Sequence, residues 1–394
     1  MQQGGSSADV WVSDSNQTAT AAGASKKSAT TELASEAGLP AQPAPLTRHK
    51  PPVSSRAAEH LYWLGRYTER TDNAIRQARL SLQSLGGEDQ SSPPLLAWLS
   101  ELAVKMGLVL DTVPPATQAR RVFERSLIAS LADTEEAASV GYNLRCVKGA
   151  AAALRGRLSQ EQWNVIVRAE ADFFRRAQAF CGPAHPASEA LEYSSVEALR
   201  ALESASGFLA AMTGAQTDRM ARDDGWRLLS TGRHIERLNT LATALILGFE
   251  TGAVHDEAGF DAIVALFDST ITFHAQYQQQ REVPALLDLL VLDRDNPRSL
   301  GWVTQTLRGR LDRLSQNTSD GLQPVAELTA GLPDPGSWLL ADLCAPVIAG
   351  PENSRYDGLL AQLQQCCNAA NELSDSISRR YFSHAGSDEH SLGA

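Results

Sequence analysis

The stretch Ser55-Arg-Ala-Ala-Glu-His-Leu-Tyr-Trp-Leu-Gly-Arg-Tyr-Thr-Glu-Arg70 decides the fold class. Ala58, Leu61, Tyr62 and Gly65 recur at three- and four-residue intervals, the spacing of one helical face, and Ser54 or Ser55 is placed to cap its first turn. The same periodicity runs to about Phe382, with little β-branched alternation. Ser159-Gln-Glu-Gln162 and Ser194-Ser-Val-Glu197 have capping-box spacing. Breaks fall at Gly86-Gly87, Pro93-Pro94, Pro114-Pro115, Gly182-Pro183, 331–336 and Gly350-Pro351. The pattern predicts an all-α body over residues 54–384, with roughly nine to twelve helices of ordinary length.

The decisive stretch has a second copy. Gly65-Arg66-Tyr67-Thr68-Glu69-Arg70 is matched by Gly232-Arg233-His234-Ile235-Glu236-Arg237, 167 positions on. Asn143-x-Arg145 followed by Leu154-Arg-Gly-Arg-Leu158 is matched by Asn296-x-Arg298 followed by Leu307-Arg-Gly-Arg-Leu311. Two motifs in the same order predict a helical bundle of two pseudo-repeated halves, near 54–185 and 186–384, a period too long for a solenoid.

Arg66, Glu69, Arg70 and Asn73 share one helical face, as do Arg233, Glu236, Arg237 and Thr240. Both faces are set among large apolar residues, where guanidinium groups need carboxylate partners. The motifs hold four arginines against two glutamates. The surplus suits a phosphate, a carboxylate or an acyl-phosphate, for which the guanidinium fork is shaped. Arg66, Arg70, Arg233, Arg237 and Arg222 are therefore candidate anion-binding residues. Glu69, Glu236, Asn73, Trp226, Arg145 and Arg298 are candidate orienting or structural ones. Three readings stay open: a paired network that fixes helix docking, with Asp72 and Asp224 absorbing the surplus; an anion site; or proton transfer by Glu69 or Glu236, although arginine neighbours make a carboxylate a weak base.

Arg222, Trp226, Leu229 and Arg233 fall on one face, which makes Arg222 a candidate partner for Glu236 and Trp226 a core residue. Asp293-x-Asp295-Asn296-Pro297-Arg298-Ser299 reads as a capped turn with Pro297 in the first helical turn, or as a cation site. The histidines form no cluster, no Glu-x-x-His occurs, and zincin, hydrolase-elbow and P-loop signatures are missing, so no metal is expected.

A formal net charge of −11 disfavours non-specific binding to nucleic acid or to an anionic membrane. The five cysteines (Cys146, Cys181, Cys344, Cys366 and Cys367) contain no C-x-x-C pair, which suits a reducing, cytoplasmic setting. The most apolar run, Leu238 to Val254, is too polar to cross a bilayer. Residues 1–53 are rich in Gly, Ser, Ala, Thr, Gln and Pro and are expected to be a disordered tail and linker, as are residues 385–394.

Taken together, residues 55–70, Met220-Ala-Arg-Asp-Asp-Gly-Trp-Arg-Leu-Leu-Ser-Thr-Gly-Arg-His-Ile-Glu-Arg237 and Leu289-Leu-Val-Leu-Asp-Arg-Asp-Asn-Pro-Arg-Ser-Leu300 resemble the alpha-E family over about residues 54–384. That family is all-helical and takes its name from a Glu-Arg motif; His60 stands where it often has Asn or Ser. Met1-Gln-Gln-Gly-Gly-Ser-Ser-Ala-Asp-Val-Trp-Val-Ser-Asp14 resembles the last strand of a circularly permuted ATP-grasp domain. These resemblances imply an accessory helical domain acting with such a ligase, fused or separate, in ATP-dependent amide or peptide-bond formation. A transglutaminase-like protein is a further implied partner, and ATP and Mg are expected only in the ligase. An amidoligase with its own site at the Glu-Arg motifs, or an interaction scaffold, are the alternatives.

Overall fold

The computed structural model describes residues 53–86, 92–183, 191–278, 280–315, 329–345 and 356–382. The tail expectations for residues 1–52 and 385–394, and the strand resemblance of residues 1–14, lie outside these residues. The fold is all-α. Its helices are α1 Ser55–Gly86, α2 Pro93–Lys105, α3 Ala116–Ser130, α4 Val140–Ala152, α5 Gln160–Phe180, α6 Ser195–Asp218 and α7 Asp224–Glu250. They continue with α8 Glu257–Leu266, α9 Thr270–Tyr277, α10 Val283–Leu287, α11 Leu300–Ser315, α12 Leu340–Leu343 and α13 Asp357–Tyr381. Eleven of these thirteen span two turns or more; α10 and α12 are single-turn pieces that periodicity cannot resolve. At Gly182-Pro183 a three-residue antiparallel ladder, β1 Cys181–Pro183 with β2 Leu191–Tyr193, stands where only a break was expected.

The local start signals work as chemistry. Ser54 accepts the Ala57 amide at 3.3 Å. Ser159 and Gln162 form a complete capping box. Ser194 accepts the Glu197 amide, but the Glu197 carboxylate turns outward to Arg200 at 2.5 Å, so that box is half made.

The long helices α1 and α7 run in the same direction against each other, between two apolar cores. One core gathers Leu64, Ile75 and Leu82 of α1 with α3 to α6. The other gathers Ile235, Leu238 and Leu245 of α7 with α2 and α8 to α13. Each helix also sends side chains into its partner's core: Ala58 and Tyr62 enter the α7 side and Leu229 the α1 side. Two glycines make this approach possible. A Cβ on Gly65 would lie 2.0 Å from the Leu229 carbonyl oxygen, and one on Gly232 would lie 2.3 Å from that of Tyr62. Backbone cannot yield as a side-chain tip can, so both positions require glycine.

A second piece of local structure recurs, in a register different from the expected one. Ser139 and Ser299 each donate to a carbonyl six residues earlier, Asp133 and Asp293. Each serine also accepts the amide three residues on, Tyr142 or Trp302, at 3.0 Å. Asp133 and Asp293 each accept the amide two residues on at 2.7 Å. The residues matched by sequence are not equivalent: Asn143 sits inside α4 and Asn296 in the turn before α11, while Leu154–Leu158 form a 3-10 turn and Leu307–Leu311 lie within α11. The recurrence is one of local structure. Pro297 also precedes the helix instead of entering its first turn, because Ser299 supplies the cap.

Candidate functional site

The arginines and glutamates of the two motifs meet where α1 and α7 cross. Each glutamate is held by the opposite helix. Glu236 of α7 accepts from Arg66 Nε at 2.7 Å, and from Arg70 Nε at 3.0 Å and Nη2 at 2.9 Å. Glu69 of α1 accepts the fork of Arg237, Nε at 2.6 Å and Nη2 at 2.8 Å. Asn73 and Thr240 close the set, with Nδ2 donating to Oγ1 at 3.2 Å. Bidentate guanidinium–carboxylate geometry of this kind fixes orientation as well as charge.

Glu69 collects more than its own motif predicts. Arg298, from the turn before α11, donates to it at 3.2 Å, and Arg233 Nε lies 3.7 Å away. Arg298 also reaches Asp72 at 3.1 Å, and Arg76 pairs with the same Asp72 at 3.0 Å. Asp72 therefore absorbs part of the surplus, whereas Asp224 is engaged with Arg227 at 2.6 Å. The turn is pinned in return, as Arg237 Nη1 donates to the Pro297 carbonyl at 3.0 Å. At the other end Arg66 donates to Tyr62 and to Ser374 of α13, at 3.1 and 2.9 Å.

The electrostatics follow from this geometry. Burial alone would raise the Glu69 and Glu236 carboxyls, but Arg237 and Arg298 hold the first well below the ordinary range, and Arg70 and Arg66 lower the second. Neither is a base at neutral pH. Burial pulls the Arg233 guanidinium down to about 10, against the attraction of Glu69; its Nη2 donates to Gln216, while its Nε makes no hydrogen bond. Burial likewise pushes His234 down to about 3, so the imidazole is neutral and donates Nδ1–H to the Ser230 carbonyl at 2.6 Å. Arg66, Arg70, Arg76, Arg233, Arg237 and Arg298 face Glu69, Glu236, Asp72 and Asp268, so the centre holds two more guanidiniums than carboxylates.

One expectation fails. Arg222 does not reach Glu236; its guanidinium lies over the Trp226 ring, 4.8 Å from the centroid, because Arg66 and Arg70 already fill the carboxylate. Trp226 itself is buried, as expected, with Nε1 donating to the Gln216 carbonyl at 2.8 Å. Among the described residues Arg145 makes no ion pair; it donates to Thr134 at 2.8 Å and covers the Phe174 ring. Two connections were invisible in sequence, those of Arg298 to Glu69 and of Ser374 to Arg66, since each bridges more than two hundred residues without a local signal. An open groove of about 410 Å³ beside Trp338 and a smaller one of about 290 Å³ beside Arg281 include no residue of the network. Among the described residues no group of His, Cys, Asp or Glu has a metal-binding arrangement, and no helix is long and apolar enough to cross a membrane. The turn at Asp293 forms the expected capped turn, held by the Asp293 and Ser299 hydrogen bonds.

An all-helical domain whose centre is a reciprocal pair of Glu-Arg motifs defines the class. The chain belongs to the Alpha-E family, described as a predicted alpha-helical domain with a conserved ER motif, whose pattern matches residues 53–382. Uncharacterized proteins of Mycobacterium tuberculosis and Mycobacterium bovis are each 26% identical to it over 281 residues, covering 66% of this chain and 30% of their own length. The chain thus spans less than a third of the curated relatives it matches. No solved structure matches it.

Proposed function

We propose that this chain is a non-catalytic accessory helical domain that works with a circularly permuted ATP-grasp ligase in ATP-dependent amide or peptide-bond formation. The observation that carries the non-catalytic part is the saturation of both motif carboxylates by guanidiniums from the opposite helix. A general base needs an affinity for protons near the working pH, and these two carboxylates have lost it. The association with other domains is supported by the much greater length of the mycobacterial relatives. The ligase assignment rests on the likeness of residues 1–14 to an ATP-grasp strand. ATP and Mg belong to that partner in this reading.

The test is phosphate release and amide formation by an ATP-grasp ligase from the same genome, with and without the full chain. The chain alone should be inactive, should co-elute with the ligase and should raise its turnover. Turnover by the chain alone, abolished in Glu69→Gln or Glu236→Gln with an unchanged melting temperature, would overturn the reading.

A second role for the same centre is favoured by its two surplus guanidiniums and by Arg233 Nε, which makes no hydrogen bond and reaches Glu69 only at 3.7 Å. Here Arg66, Arg70, Arg233 and Arg237 hold an anionic substrate or intermediate, with Glu69 and Glu236 orienting them. Calorimetry with acidic peptides or phosphate analogues should then show binding that Arg70→Ala and Arg237→Ala remove; no heat from well-folded wild type ends it.

A further inference from the structure

The arginine that fails to reach Glu236 takes part in a separate cluster. Trp226 is covered by two guanidiniums, Arg222 at 4.8 Å and Arg310 of α11 at 4.5 Å from the ring centroid. Arg313 lies one turn beyond Arg310 in α11, in the last turn of that helix, and is exposed. Neither Arg222, Arg310 nor Arg313 forms an ion pair among the described residues; the only hydrogen bond of Arg310 there is a long one, Nε to Ser230 Oγ at 3.3 Å. The nearby acids are engaged elsewhere: Asp223 with Arg157 at 2.9 Å, Asp224 with Arg227 at 2.6 Å. Among the described residues, three guanidiniums without an ion-pair partner thus gather around Trp226 and the end of α11, in a chain whose net charge is −11.

We propose that Arg222, Arg310 and Arg313 form a binding site for a phosphoryl group, distinct from the Glu-Arg centre. Contact with the indole restrains the Arg222 and Arg310 guanidiniums before any ligand arrives. The indole is 6% exposed, and what the cluster presents to a ligand is positive charge and forked donors. The charge is focused: Arg222, Arg313 and Arg227 all bear on Arg310, and with burial they lower its pKa. A compact dianion relieves several such repulsions at once, whereas an acidic peptide delivers single charges spread along a backbone. The inference does not depend on the ligase reading.

The experiment is titration calorimetry on the full chain at fixed ionic strength, with inorganic phosphate, pyrophosphate, ATP without Mg, and hexaglutamate. Pyrophosphate is expected to bind saturably. Arg222→Gln and Arg310→Gln should each weaken it by roughly tenfold or more, the loss of one charge-assisted hydrogen bond. Arg313→Ala, at an exposed position, should weaken it severalfold with an unchanged melting curve. Arg145→Gln, outside both the cluster and the Glu-Arg network, should leave it intact. The ATP arm distinguishes a nucleotide from a free phosphate as the source, and binding of either supports the site. Absence of saturable binding, binding that survives all three cluster variants, or tighter binding of hexaglutamate would overturn it.

Discussion

The two carboxylates of the Glu-Arg centre are the same residue in the same motif, yet they live in different surroundings. Glu69 is 3% exposed, and the guanidiniums around it come from two elements, α7 and the turn before α11, at 9 to 17% exposure. Glu236 is 6% exposed, and both its partners come from α1, with Arg70 at 26%. One end of the network is therefore sealed, its carboxylate gathering guanidiniums from two other segments; the other opens toward water, its carboxylate held by α1 alone. A sealed charge left without its partner cannot recruit water, so identical substitutions should have unequal costs.

That asymmetry orders the expected effects. Glu69→Gln leaves Arg237, Arg298 and Arg233 short of a carboxylate and should cost about 3–5 kcal/mol in denaturant unfolding. Gly65→Ala and Gly232→Ala probe the part of the contact that is even-handed: each puts a methyl against a carbonyl of the other helix, and each should cost ~3 kcal/mol, nearly the same for both. A large difference between the two glycines would break the reciprocity of the crossing. Glu236→Gln should cost less than Glu69→Gln, on the order of 1–3 kcal/mol, because Arg70 can turn to solvent. Equal losses for the two glutamates would remove the contrast.

Acid sharpens the picture from another side. His234 is neutral in the fold down to about pH 3, whereas an unfolded imidazole takes a proton below about pH 6.5. The unfolded chain binds the extra proton, so stability falls as pH drops through that window, by at most ~1.4 kcal/mol per pH unit from this one group. The two glutamates, whose carboxyls are lowered in the fold, add stability above about pH 4.3 that is lost on further acidification. Unfolding in urea at pH 7.5, 6 and 5 should show the decline, and His234→Gln should flatten it. The smallest effect is expected at Arg145→Ala, a residue outside the network, within ~0.5 kcal/mol.

The helical class and the site were legible because both are written locally. Seven residues of spacing put Arg66, Glu69, Arg70 and Asn73 on one face, and an identical spacing put their counterparts on α7. That the copies face each other follows from burial: charged residues so close to Tyr62, Trp63 and Leu64 had to find partners inside. Sequence could not tell which arginine serves which glutamate, since the pairing depends on the approach that Gly65 and Gly232 permit. It misplaced Arg222, whose helical phase points to the motif but whose position ahead of α7 lets it fold back over Trp226. The second recurrence was read in the wrong register because the capped turns share only an aspartate, a serine and a glycine, and their likeness lies in hydrogen bonds to backbone. Arg298 and Ser374 reach the centre across the chain, where periodicity carries no information.

A double-mutant cycle between Glu69 and Arg237, followed by denaturant unfolding of Glu69→Gln, Arg237→Gln and the pair, addresses the lock between α1 and α7 most directly. If the cross-helix fork holds the two helices in register, the cycle should return a coupling energy of about 2 kcal/mol or more, with the double variant losing much less than the two singles together. Additive losses, with no coupling beyond error, would contradict it.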